Sequence, residues 1–219
     1  MTSQLLKSKK ERLFAREALP HARSLYGAAM RFTRSPDDAA DLVQETFLKG
    51  FRAFDQFEPG TNCKAWLFRI LTNAFINKYR RRVKEREILE GKHQQTAEDN
   101  LVHLPSKRAT LDPEGAIMDR GLGDEVLAAL DKVPVDFKTV VLLSDVEGLS
   151  YKEIADACDI PLGTVMSRLF RGRRILQEQL FGYAVAAGVL RPTLDGGQAG
   201  PLLLDDYRMR RARKRGISA

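Results

Sequence analysis

Four polar side chains at helical spacing form a set suited to reading nucleic acid. Thr164, Ser167, Arg168 and Arg171 recur every three or four residues, so they share one helix face. Arginine can donate two hydrogen bonds to a guanine edge, and serine or threonine can serve a base or a phosphate. Arg173 and Arg174 extend the cationic surface toward phosphates. On the other side, Val165, Leu169 and Leu176 make an apolar stripe that would pack inward. This chemistry is recognition, not catalysis. His21, His93 and His103 are scattered, with no acid or cysteine grouping suited to a metal or a triad, and no Walker-type glycine loop occurs. Cys63 and Cys158 are far apart and form no CxxC pair, which argues for two reduced, partly buried thiols. The expectation is no catalytic site, no metal and no cofactor.

The elements that must hold this face can be read locally. Ser150-Tyr151-Lys152-Glu153 fits a capping box, with serine at the cap and glutamate three residues on. A short helix follows through Ile154, Ala155 and Cys158, and Pro161 then interrupts it by lacking an amide donor and disfavouring helix at Ile160. A second helix opens at about Gly163-Thr164 and runs to Arg174 or beyond. Two short helices joined by a tight turn make a helix-turn-helix. Asp159 stands where a left-handed residue is wanted, and aspartate tolerates that conformation better than most. The bland alternative is a basic helical hairpin with a solvated face.

A second set lies in the first half. Ser35-Pro36-Asp37-Asp38 reads as a helix start, with a capping serine, proline at the first turn and early acids at the positive end of the dipole. The helix that follows carries Leu42, Val43, Phe47, Phe51 and Phe54 on one side, while Asp41, Gln44, Glu45 and Leu48 recur at spacings that give an acidic-polar patch. That patch suits a basic protein partner or is an ordinary solvated face. Glu58-Pro59-Gly60-Thr61-Asn62 is a loop by its Pro-Gly pair. A helix then runs from about Lys64 to Val83, with Leu67, Ile70, Leu71, Ala74 and Phe75 buried and Arg69, Asn73, Ile76 and Arg80 opposite, Asn77 alongside. Arg80, Arg81 and Arg82 close it with a cationic cluster that suits a nucleic-acid backbone and also the helix dipole.

The whole chain has 219 residues and a formal charge of +7 from 36 Lys+Arg against 29 Asp+Glu. That surplus favours an anionic partner without choosing one. No apolar run approaches the roughly 20 residues needed to span a bilayer, and residues 1–16 lack the apolar region of a secretory signal, so a cytoplasmic protein without membrane insertion is expected. Strand alternation is scarce and helical spacing pervasive, so the fold class is all-α: two small helical domains joined by a flexible linker. The predicted divisions are a basic N-terminal extension at 1–12, a first domain at 13–83, a linker at 84–115, a second domain at 116–180 and a basic tail at 181–219. The linker is polar and mixed in charge, with acids Glu85, Glu87, Glu90, Glu98, Asp99, Asp112 and Glu114.

The string Pro161-Leu162-Gly163-Thr164-Val165-Met166-Ser167-Arg168-Leu169-Phe170-Arg171-Gly172-Arg173 closely resembles the fourth region of bacterial RNA polymerase sigma factors of the extracytoplasmic-function type. Independently, Asp41-Leu42-Val43-Gln44-Glu45-Thr46-Phe47, continuing through Phe51-Arg52-Ala53-Phe54, resembles the helix of the second sigma region that docks on the polymerase β′ clamp. Thr61-Asn62-Cys63-Lys64-Ala65-Trp66-Leu67-Phe68-Arg69-Ile70-Leu71-Thr72-Asn73 resembles the segment that captures the −10 promoter element. The resemblance spans about Phe14 to Leu180 and includes none of the extra regions of the larger housekeeping sigmas. It implies a protein that binds core RNA polymerase (β′ clamp and β flap), reads promoter DNA and helps to open it. By the resemblance, Asp41, Gln44, Glu45, Phe47 and Leu48 meet core polymerase. Asn62, Lys64, Trp66, Arg69, Asn73, Asn77, Arg80 and Arg81 serve the −10 element and melting, with Asn62 reading a flipped base and Trp66 either an aromatic platform or core packing. Thr164, Ser167, Arg168, Arg171, Arg173 and Arg174 read the −35 element. The linker would thread the polymerase, and an anti-sigma factor is an implied partner. The alternative from the helix-turn-helix alone is a stand-alone transcriptional regulator, which would bind two half-sites as a dimer.

Overall fold

The computed structural model describes residues 2–89 and 122–188, without the side chains of residues 2–8. The expectations for the remaining linker (90–115) and for the basic tail (189–219) lie outside the described residues. All elements described are helical: α1 (Thr2–Ala18), α2 (Ala22–Thr33), α3 (Pro36–Ala53) and α4 (Cys63–Leu89) build the first domain. α5 (Asp124–Asp131), α6 (Val135–Val141), α7 (Tyr151–Cys158) and α8 (Leu162–Ala186) build the second.

The punctuation predicted from sequence determines several ends. Ser35 caps α3 by accepting from the Asp38 amide at 3.3 Å, with Pro36 in the first turn. Ser150 and Glu153 form the reciprocal capping box of α7, and Asp159 ends that helix in the left-handed conformation at φ 54°. Three boundaries run further than expected. α1 passes without a break through residue 12, α4 continues six residues past Val83, and α8 reaches Ala186. The added turns of α1 and α4 are rich in Lys, Arg, Glu, Gln and Leu, which favour helix without an apolar stripe to announce it, while the added turn of α8 is Phe181-Gly182-Tyr183-Ala184-Val185-Ala186.

The core of the first domain is built from Leu25, Ala28, Ala29, Leu42, Leu67 and Leu71, all at most 1% exposed. Beside it Phe14 meets Phe47, Phe51 and Phe54 edge-on, with ring centroids 5.2–6.3 Å apart. In the second domain Leu142, Leu143, Ile154, Val165 and Leu169 are buried. The two cores are continuous, because α7 seats on α4. This explains Phe68 and Thr72, which are fully buried although they lie off the expected stripe of α4. Lys64, one turn earlier on that face, sits over the Phe68 ring and bonds to the second domain at Glu147.

In the second domain, α8 crosses α6 at Gly172 with almost no clearance. A Cβ there would lie 2.7 Å from Val141 Cγ2 and 3.3 Å from the Phe137 carbonyl. Alanine favours helix over glycine by about 1 kcal/mol, but overpacking a tight contact costs about 1–3 kcal/mol. With one clash inside 3 Å and backbone behind it, overpacking should dominate. Gly172→Ala should therefore lower stability by about 1–2 kcal/mol, read as a drop of several degrees in the thermal midpoint. An unchanged or raised midpoint would refute the close crossing.

Candidate nucleic-acid interface

Helix α8 presents the predicted face in part. Val165 and Leu169 are buried and Leu176 packs against the core. Ser167 and Arg171 are exposed, Thr164 is half-buried, and the Ser167 hydroxyl donates to the Thr164 carbonyl at 3.0 Å. The arginines are not equivalent. Arg168 donates to Asp136 at 2.9 Å and Arg174 to Glu178 at 3.1 Å. Arg173 holds Asp145 through two nitrogens at 2.7 and 3.1 Å, and its side chain is only 11% exposed. That bidentate bond drives its guanidinium pKa further up, against the opposing effect of burial. Arg173 thus ties α8 to the turn that follows α6. Arg171 makes no ion pair with the described residues.

On α3, Asp41, Gln44 and Leu48 are exposed on one side. Glu45 pairs with Lys49 at 2.6 Å across one helical turn. Phe47 points the other way, into the Phe14 cluster. Asp38, at the start of α3, receives hydrogen bonds from Arg82 at 2.6 Å and Lys78 at 3.2 Å, and the Arg82 bond leads in holding its carboxyl below the usual range despite partial burial. One member of the Arg80–Arg82 cluster is therefore committed to α3, and Arg81 pairs with Glu85 at 2.8 Å. Arg80 is exposed, as are Arg69 and Asn77 further back on α4, while Asn73 is half-buried.

At the start of α4, Asn62 does two jobs. Its carbonyl oxygen accepts from the Ala65 amide at 3.2 Å, capping the helix. Its amide nitrogen donates to Glu153 of α7 at 2.6 Å. Trp66 is half-buried and packs at a tilt on Phe57 and Phe54, with centroids 5.1 and 6.3 Å away, so its ring is held in an aromatic cluster.

Two buried charges, Glu147 and Arg31, lie outside the residues singled out from sequence. Glu147, with a side chain 6% exposed, accepts from Ser24 and lies 3.2 Å from Lys64 and 3.5 Å from Arg31. The Arg31 side chain is itself 9% exposed. A signal existed in α2. Arg31 sits at the spacing of Leu25, Ala28 and Phe32, on the buried face, and a cation there calls for an anion from elsewhere. Gly27 makes room for it, since a Cβ at that position would lie 3.3 Å from Arg31 Nη1. A second junction pair joins Arg34 to Asp131 at 2.6 Å, and Asp131 also receives Lys138. Among the described residues, no group of His, Cys, Asp and Glu could hold a metal ion, and no helix is long and apolar enough to cross a membrane.

The structure defines the class of two-module helical proteins whose second module carries a helix-turn-helix with a cationic exposed face. Family models place it further: sigma-70 region 2 matches residues 19–85 and sigma-70 region 4 matches residues 123–176. The chain is 40% identical over 160 residues to the ECF RNA polymerase sigma factor SigE of Mycolicibacterium smegmatis, covering 73% of this chain and 58% of that protein. It is 37% identical over 158 residues to the ECF RNA polymerase sigma factor EcfG of Rhodopseudomonas palustris, covering 72% of this chain and 80% of that protein. The solved structure of the sigma factor RpoE with the anti-sigma factor NepR from Bartonella quintana matches with a TM-score of 0.58 and 32% identity, over 77% of this chain and 96% of that one. The chain belongs to the extracytoplasmic-function sigma factors of the sigma-70 family.

The two thiols are described and both are buried and free. Burial pushes Cys63 up to about 11 and Cys158 up to about 12. Few thiolates exist at neutral pH, and the thiolate is the nucleophile. Alkylation by iodoacetamide at pH 8 should be about a hundredfold slower in the native chain than in denaturant, as read by mass spectrometry. Equal rates would refute the burial of both thiols.

Proposed function

We propose that this chain is a promoter-specificity subunit. It binds core RNA polymerase, reads a −35 element with α8 and a −10 element with the start and outer face of α4, and helps to open the duplex. The chemistry of RNA synthesis belongs to the polymerase. The observation that carries this reading is the pairing of two matched modules on one chain: a helix-turn-helix with Ser167 and Arg171 exposed, and a separate helix lined by Arg69, Asn77 and Arg80. The exposed Asp41, Gln44 and Leu48 of α3 support a clamp contact. A cytoplasmic location follows from the same role. An anti-sigma partner is supported by the relative solved with NepR, and the exposed Leu162, Met166 and Phe170, spaced four residues apart on α8, suit an apolar helix of such a partner.

Run-off transcription with purified core enzyme tests the reading. The chain should confer initiation at discrete promoters that core alone ignores. Absence of any promoter-dependent transcript, with tight dimeric binding of the free chain to duplex half-sites, would favour a stand-alone regulator instead.

The arginines should separate in the same assay. Arg171→Ala should relax preference at one −35 position by about 1–3 kcal/mol, the worth of a lost bidentate base contact, with thermal stability unchanged. Arg173→Ala should lower the melting temperature, because Asp145 loses its partner. Identical behaviour of the two variants would remove the distinction drawn from their ion pairs.

A further inference from the structure

Two of the side chains assigned to the melted strand, Asn62 and Lys64, are already engaged by glutamates of the second domain. Asn62 Nδ2 donates to Glu153 at 2.6 Å. Lys64 Nζ donates to the Glu147 backbone carbonyl at 2.7 Å and lies 3.2 Å from its carboxylate. Among the described residues, the side-chain partners of Glu147, namely Ser24, Arg31 and Lys64, all belong to the first domain. We propose that the chain occludes itself: Glu147 and Glu153 of the second domain occupy the −10 face as an internal substitute for the anionic strand, and the docked form must open before Asn62 and Lys64 can meet DNA. This rests on the reading of those two residues as strand contacts.

The chemistry of the contact favours exchange. Carboxylate oxygens satisfy an ammonium and an amide by the same hydrogen bonds that phosphate and base-edge oxygens would supply. A buried ionic cluster fixes register but adds little net stability, because each member regains hydration when the surfaces part. The closed form leaves Arg69 and Arg80 exposed on α4. A strand running along α4 therefore gains charge contacts that Glu147 and Glu153 do not make, and this differential affinity can shift the equilibrium. Closure spares the other face, since Ser167 and Arg171 stay exposed. The docked form can thus meet duplex through α8 while Asn62 and Lys64 stay engaged by the second domain.

The test measures interdomain distance in the full chain, with spin labels at Arg52→Cys and Ala128→Cys, both exposed positions, and the native thiols buried. The parent should give one narrow distance. Glu147→Gln should broaden and lengthen it, and should raise affinity for a short non-template strand from a promoter mapped in the run-off assay by at least about threefold, the sign of a removed conformational tax. Ser24→Ala, which leaves both cations paired, should move both readings the same way by less, and guards against misfolding of the charged-site variant; circular dichroism checks both. An unchanged distance in folded Glu147→Gln overturns the latch. Opening without a gain in strand affinity overturns the occlusion. If the parent chain directs no promoter-dependent transcript, the functional reading fails while the distance measurement still decides the latch.

Discussion

Glu147 is the constraint on which the arrangement of the two domains turns. A carboxylate this buried survives only with compensating partners, and it draws them from α2 and α4. Removing one partner of such a cluster costs about 3–5 kcal/mol if the surfaces stay closed. If they part, the same groups are hydrated and the penalty fades. The apolar seat of α7 on α4 supplies attraction that does not depend on register. The ionic cluster selects one register from the many that such a seat would allow.

Charge elsewhere follows a similar division of labour. The net surplus of +7 suggests a uniformly basic surface, yet many cations are neutralised where they stand. Arg173 is bound to Asp145, Arg82 to Asp38 and Arg34 to Asp131. Those pairs hold α8, α4 and α2 in place. Arg69, Arg80 and Arg171 remain exposed, where an anionic partner could reach them.

Much of this was legible in the residues. Caps are local, so Ser35, Ser150 and Asp159 could be read without knowing the fold. The stripe of Val165 and Leu169 is periodic and needs only one buried side. The misses share one cause: they depend on neighbours distant in sequence. Phe68 and Thr72 look like the outer side of α4 until α7 covers them. Glu147, between Val146 and Gly148, has the local context of any turn glutamate. Arg173 flanks the inward stripe of α8, four residues past Leu169, but its partner Asp145 is supplied only by the fold. Sequence alone allows Trp66 as stacking platform or as packing, and Phe57 brings it into a cluster.

Helix α4 also has a mechanical meaning. At 27 residues it is a rod of about 40 Å, pinned near its start by Asn62 and Lys64 and partway along by the grip of Asp38 on Lys78 and Arg82. Such a rod works as a lever with a fulcrum on α3. A small tilt at the Asn62 end is carried past the fulcrum to Leu89, where the chain departs for the second domain. Events at the Asn62 end and the point of departure are therefore geometrically coupled, with no chain of side-chain rearrangements needed between them.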